Sequence, residues 1–118
     1  MDYPIEIIKE KIDKRYIEKF LNNPFKEMVK FVIDIEKEII AVGGELHSDA
    51  AEILIKNGSR GDNLWGGNFY PLKEKKEDRI EYSSLINVSP LRQNFSMEIE
   101  SKETMEKINK IIEKLIYE

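Results

Sequence analysis

Asp34-Ile35-Glu36-Lys37-Glu38-Ile39-Ile40-Ala41-Val42-Gly43-Gly44-Glu45-Leu46-His47-Ser48-Asp49 is the stretch whose reading decides the fold. Just upstream and into it, Val29, Phe31, Ile33 and Ile35 alternate with Lys30, Val32, Asp34 and Glu36. A period of two places alternate side chains on opposite faces of a strand. Glu38 to Val42 carries apolar residues on both faces, which suits an interior strand. Glu36-Lys37 between them is the expected hairpin turn, although it lacks the Asn-Gly pair that such turns favour. Gly43-Gly44 ends the second strand; adjacent glycines allow positive φ and close backbone approach. Ser48 or Asp49 is then expected to cap a helix, with Glu52 as the back half of a capping box. Gly58 after Asn57 is its expected stop.

Toward the N-terminus, Ile5 to Lys9 alternates as a short strand, with a helix starting near Pro4 as the competing reading. Ile12, Tyr16, Ile17, Phe20 and Leu21 recur at helical spacing, so a helix is expected over about Asp13 to Asn22, with Asp13 as its N-cap. Pro24 ends it, because the residue before a proline is pushed out of the α region.

Toward the C-terminus, Leu64 to Tyr70 reads as a strand. Its Gly66-Gly67 pair suggests a bulge or something packed closely above. Pro71 to Asp78 is a charged loop. Arg79 to Val88 reads as the partner strand, and Met97 and Ile99 as a short edge strand. Ser101 is the expected cap of a last helix whose apolar stripe is Met105, Ile108, Ile112, Leu115 and Ile116. Strands joined by hairpins, with helices entering between and after them, define an α+β domain spanning residues 1–118: a mainly antiparallel sheet of about five strands with three helices packed on it.

The chain has 118 residues, 41% hydrophobic and 36% charged, with a net charge of −4. That is the composition of a single folded domain. Abundant Ile, Lys and Glu resemble the bias of proteins from hot-living or AT-rich prokaryotes. An acidic chain lacks the counterion release that drives nucleic-acid binding. Its clearest basic run, Lys73-Glu74-Lys75-Lys76, is broken by acid and reads as a solvated loop. With no cysteine, disulfides, thiol catalysis and cysteine-zinc sites are excluded. No apolar run approaches the roughly 20 residues of a membrane span, and the first residues lack a signal-peptide pattern. The expected location is the cytoplasm, with no membrane partner. Outside a secretory context, Arg60-Gly61-Asp62 carries no weight as an adhesion tripeptide.

Three segments could carry chemistry. Glu45-x-His47-x-Asp49 holds the only histidine. Imidazole and carboxylates could ligate a divalent metal or form a general base, with Glu45, His47 and Asp49 as metal candidates. The structural alternative has Ser48 and Asp49 capping a helix, Glu45 in solvent and His47 bonded to the backbone at the hinge. In Ser89 to Asn94, Arg92 could clamp an anionic group, or simply pair with a nearby acid. Trp65 to Tyr70 could form an aromatic platform for a planar ligand or a peptide, or be ordinary core. Candidate ligand-binding residues are Asn68, Tyr70, Asn87 and Asn94; candidate catalytic residues are His47, Glu45 and Arg92.

From Met28 onward the chain resembles a small prokaryotic family described only as a domain of unknown function. The runs that carry the resemblance are Asp34 to His47, ending in Gly-Gly-Glu-Leu-His, then Leu64-Trp-Gly-Gly-Asn-Phe-Tyr-Pro71, Ile80 to Val88 and Asn94-Phe-Ser96. The resemblance implies a compact α+β protein and assigns no catalytic residue. The leading expectation is a non-catalytic domain that binds a protein partner, a second copy of itself or a small ligand, without a cofactor. The alternative is a metal-assisted or general-base hydrolase of a small substrate at Glu45, His47 and Asp49.

Overall fold

In the computed structural model, which describes residues 3–117, the hairpin that opens the quoted stretch forms the middle of the sheet. The strands β1 (Ile5–Ile8), β3 (Val29–Asp34), β4 (Ile39–Gly43), β5 (Leu64–Phe69) and β6 (Ile80–Glu81) form one antiparallel sheet in the order β1-β4-β3-β5-β6. Ile5 to Ile8 is thus a strand, paired with β4 from Ile5↔Gly43 to Ile8↔Ile40. The helices are α1 (Lys14–Glu18), α2 (His47–Lys56) and α3 (Lys102–Leu115). A small parallel pair absent from the sequence reading joins β2 (Ile12–Asp13) to β7 (Ile116–Tyr117). Ile116 therefore leaves the helical stripe for a strand.

Alternation along β3 separates two cores. Val29, Phe31 and Ile33 join Phe69 and Trp65 of β5, Ile40 and Val42 of β4, Ile17 of α1, and Ile108, Ile111, Ile112 and Leu115 of α3. On the opposite face, Val32, Ala41 and Leu64 pack against Ala50 and Leu54 of α2. Burying each such aliphatic or aromatic side chain contributes about 1.5–3 kcal/mol. The second face is therefore not a solvent face: Val32 and Asp34 are fully buried, and Lys30 is half-buried there.

The hairpin turn is set by Asp34, not by a glycine. Its Oδ1 accepts from the Glu36 and Lys37 amides, each at 2.9 Å, as Asx turns do. Glu38 takes φ 57° to bring the chain back. Gly43 and Gly44 have φ of +104° and +84°, which is where glycine is needed. A Cβ on Gly43 would meet the Pro4 carbonyl and the Phe20 ring. This double bend turns β4 into α2.

Several expected boundaries shift. The helix expected over Asp13 to Asn22 is regular only over Lys14–Glu18, capped by the Asp13 side chain, with turns continuing to the left-handed Asn22. Neither Ser48 nor Asp49 caps α2: both lie inside it, and the N-cap is Leu46, with no side-chain cap bond. Ser101 does cap α3, accepting from the Thr104 amide at 3.2 Å.

The largest correction falls on Arg79 to Val88. Only Ile80–Glu81 pairs as strand; Ser84 then caps a 3-10 turn over Leu85–Asn87. The reason is Asn87, which is completely buried. Its Oδ1 accepts from the Gly66 amide at 2.8 Å, and its Nδ2 donates to the Gly66 carbonyl at 2.9 Å and to the Met97 carbonyl at 3.1 Å. One side-chain amide thus replaces a strand neighbour. The expected edge strand at Met97 and Ile99 reduces to a bridge between Ser83 and Glu98. Gly66 and Gly67 keep regular register with β3, so there is no bulge. They are glycines because a Cβ would meet Ser84 at 2.7 Å and the Phe31 ring at 2.5 Å respectively.

Asn87→Ala leaves the buried Gly66 N–H and C=O without partners, each costing about 1–3 kcal/mol, while the Met97 carbonyl keeps the Ser84 amide. We expect a loss of about 3 kcal/mol in urea unfolding; a loss below about 1 kcal/mol would contradict the role given to this amide.

Candidate functional site

The bend at Gly43-Gly44 separates the three residues that the sequence grouped. His47, the first residue of α2, turns inward and is 8% exposed. Its Nε2 lies 2.7 Å from the Gly67 carbonyl oxygen. A carbonyl only accepts, so the proton is on Nε2. Glu45 and Asp49 are exposed and line a different cleft, with Tyr3, Glu52 and Ile53. Among the described residues, no three His, Cys, Asp or Glu side chains gather as a metal site would need.

His47 lines a cleft of about 250 Å³ between the start of α2, strands β3 and β5, and the segment after β6. Its other polar side chains are Lys30, Ser48, Asn68, Ser83 and Ser84. Leu46, Leu85, Ile86 and Met97 supply the apolar lining. Strand register makes the polar floor: Lys30 lies opposite Asn68, and Asn68 opposite Glu81, on three neighbouring strands.

Three polar groups meet in this cleft, and one of them, Asn68 Oδ1, has no partner within the protein. Asn68 is 8% exposed; its Nδ2 donates to Glu81 Oε1 at 2.7 Å, but its Oδ1 has no hydrogen-bond partner. That oxygen is close enough to the His47 ring to favour its cation without meeting hydrogen-bond geometry. Lys30, half-buried, stacks its ammonium 5.2 Å from the centre of the Phe25 ring. Its pKa is lowered by desolvation, against the attraction of Glu81, and among the described residues it makes no ion pair. The His47 pKa is lowered, above all by burial and further by Lys30, against its bond to Gly67 and the Asn68 amide. The neutral ring carries its proton on Nε2, so Nδ1 presents a lone pair.

The remaining candidates support the fold instead. Arg92 stacks its guanidinium 3.7 Å from the Trp65 ring centre and donates to the Leu64 and Asp62 carbonyls at 2.8 and 3.2 Å. Burial lowers its pKa. The geometry is a stacked structural arginine, and Trp65 is core. Asn94 is buried, with Nδ2 donating to the carbonyls of Asn87, Ser96 and Glu98, all at 2.9 Å. Tyr70 donates to Glu81 at 3.2 Å, and burial and that carboxylate raise its pKa. Of the candidates Glu45, His47, Asn68, Asn87 and Arg92, His47 and Asn68 share a cleft; Glu45, Asn87 and Arg92 lie elsewhere. Sequence reading missed Lys30, Ser83 and Ser84. The one usable signal was a lysine on the polar phase of an otherwise apolar strand.

Fold and cleft define a small α+β domain with a metabolite-sized polar depression beside one neutral histidine. The chain belongs to the family described as protein of unknown function (DUF5674), matched over residues 6–115. The match takes in α1 and most of β1, beyond the segment from Met28 that carried the resemblance. No curated protein and no solved structure matches the chain. Among the described residues no helix is long and apolar enough to cross a membrane.

A lowered histidine pKa fixes the sign of a pH effect. As pH falls through about 6.5 the unfolded imidazole takes up a proton, while folded His47 resists until its lower pKa is reached. The unfolded state then binds more protons, so stability falls with falling pH. With a single histidine in the chain, little else titrates between pH 7.5 and 5.5. We expect the urea midpoint to drop across that window, and His47→Gln to remove most of the drop. A wild-type midpoint that stays flat or rises toward pH 5.5 would contradict a buried neutral ring.

Proposed function

We propose that this protein is a non-catalytic binding domain whose ligand is a small molecule held in the His47 cleft. The observation that carries the reading is the meeting in one depression of Asn68 Oδ1, which has no hydrogen-bond partner, with the His47 Nδ1 lone pair and the Lys30 ammonium. A buried polar atom without a partner costs about 1–3 kcal/mol, and a ligand that supplies the partner recovers that cost. At about 250 Å³ the cleft lies below the roughly 300–1,000 Å³ of drug-sized sites, so its occupant is small. A hydrolytic reading has less support. Among the described residues the one cation lining the His47 cleft is Lys30, and Glu45 and Asp49, the expected carboxylate partners of His47, line another cleft. A divalent metal at those residues lacks a converging ligand set.

One observation favours a protein partner, a second copy included, as a second reading. Residues 83–97 contain one charged side chain, Arg92, in a chain that is 36% charged. Leu85, Val88, Leu91, Phe95 and Met97 are exposed along this segment, Leu91 at 99%. Their backbone is held by Asn87 and Asn94, so the apolar side chains are presented on a fixed frame. Exposed apolar surface of this kind marks interaction sites.

Both readings are tested on the same ¹⁵N-labelled protein with a metabolite panel. The cleft reading predicts that at least one small metabolite raises the melting temperature by mass action and shifts the Asn68 side-chain amide, and that the rise in melting temperature is lost in Asn68→Leu. A panel that moves neither would sink it. Sedimentation velocity at micromolar concentration tests the second copy: a dimer dissociated by Leu91→Glu supports it, and a monomer counts against it.

A further inference from the structure

The three groups that make the His47 cleft a binding site also specify the chemistry of its ligand; this inference rests on the binding reading above. His47 has committed its Nε2 hydrogen to Gly67, so only an acceptor remains at Nδ1. Asn68 has committed its Nδ2 to Glu81, so only an acceptor remains at Oδ1. Two acceptors lining one cleft call for a ligand N–H or O–H, and a ligand carbonyl there would meet lone pairs. Lys30 carries three donors and no acceptor, and calls for an anionic oxygen.

Charge narrows the class further. Among the described residues Lys30 is the only formally charged one lining the cleft, because His47 is neutral and the other polar liners are serines and an asparagine. Glu81 is exposed and already accepts from Asn68 and Tyr70. One half-buried positive charge is matched by one negative charge. A ligand ammonium at the two acceptors would add a second cation near Lys30, in a site that already holds the imidazole neutral. The donor is therefore uncharged, and an amide or ureido N–H fits better than a hydroxyl, whose oxygen would bring its own lone pairs toward the two acceptors. The Ser83 and Ser84 hydroxyls can turn to either end of such a molecule. Leu85 and Met97 cover its apolar part.

We infer that the cleft takes a small monoanionic carboxylate bearing a neutral N–H, of the N-acylamino-acid or ureido-acid type, with the carboxylate on Lys30 and the N–H shared by His47 Nδ1 and Asn68 Oδ1. The molecule is bound, not transformed.

Four probes separate the parts of this assignment. N-acetylglycine has the carboxylate and the neutral N–H, acetate only the carboxylate, acetamide only the N–H, and glycine a carboxylate with an ammonium. In ¹⁵N-edited NMR titrations of the full chain, N-acetylglycine should shift the Asn68 side-chain amide and the His47 ring signals. Its Kd should be at least tenfold below those of acetate, acetamide and glycine. Lys30→Gln should weaken N-acetylglycine at least tenfold and leave acetamide unchanged. Glycine or acetate binding as tightly as N-acetylglycine would overturn the assignment, and so would an unchanged Kd in Lys30→Gln. If all four probes are silent while another panel compound shifts Asn68 and His47, the ligand class is wrong and the binding reading stands. If the whole panel is silent, both fall.

Discussion

Strand β5 passes through the sheet with two consecutive glycines; at Gly66 a side chain supplies the bonds that an ordinary strand neighbour would provide, and at Gly67, paired with β3, a second side chain adds a bond from above. Asn87 pairs with Gly66 through both amide groups, and His47 bonds to the carbonyl of Gly67. A buried backbone group must find a partner, and β6 stops after two residues. Much of the rest follows from that constraint. The segment after β6 must turn inward to deliver Asn87; Asn94 holds that segment by donating to the Asn87 carbonyl, and Arg92 ties it to β5 by donating to the Leu64 carbonyl. The start of α2 must lie over β5 to deliver His47. The cleft is the space left between these two visitors.

The same geometry accounts for the electrostatics of the site. Helix α2 packs Ala50 and Leu54 onto Val32, Ala41 and Leu64, which draws its first residue under cover and leaves Glu45 and Asp49 outside. A histidine buried next to a lysine, away from carboxylates, stays neutral. It can then offer a lone pair where a charged ring would offer a second N–H. Lys30 sits opposite Asn68 because strand register put it there. The site is thus built on strands and a helix start, not on a mobile loop, which favours a fixed arrangement of donors and acceptors.

The α+β class, the central hairpin and the strands on either side of it were legible because period-two alternation and the Gly43-Gly44 break are local signals. Ser101 was legible as a cap for the same reason. The strand expected over Arg79 to Val88 failed because alternation cannot reveal that one asparagine side chain will outcompete a backbone partner for Gly66. Glu45, His47 and Asp49 do not stay together because two left-handed glycines followed by a helix rotate the three side chains apart. Asn68 was singled out, but its meeting with Lys30 and Ser84 depends on register and on a turn some fifteen residues later in sequence, which one sequence does not encode locally. Arg92 and Trp65 were both noticed, as separate candidates; their stacking turned two prospective binding groups into one structural pair.

Much of this account turns on the state of one ring: His47 neutral, protonated on Nε2 and bare at Nδ1. The most direct test is ¹⁵N NMR of the selectively labelled imidazole at pH 7. The account predicts a resolved Nε2–H tautomer, with a protonated-type shift at Nε2 and an unprotonated-type shift at Nδ1. A ring protonated on both nitrogens at pH 7, or one averaging freely between tautomers, would contradict it.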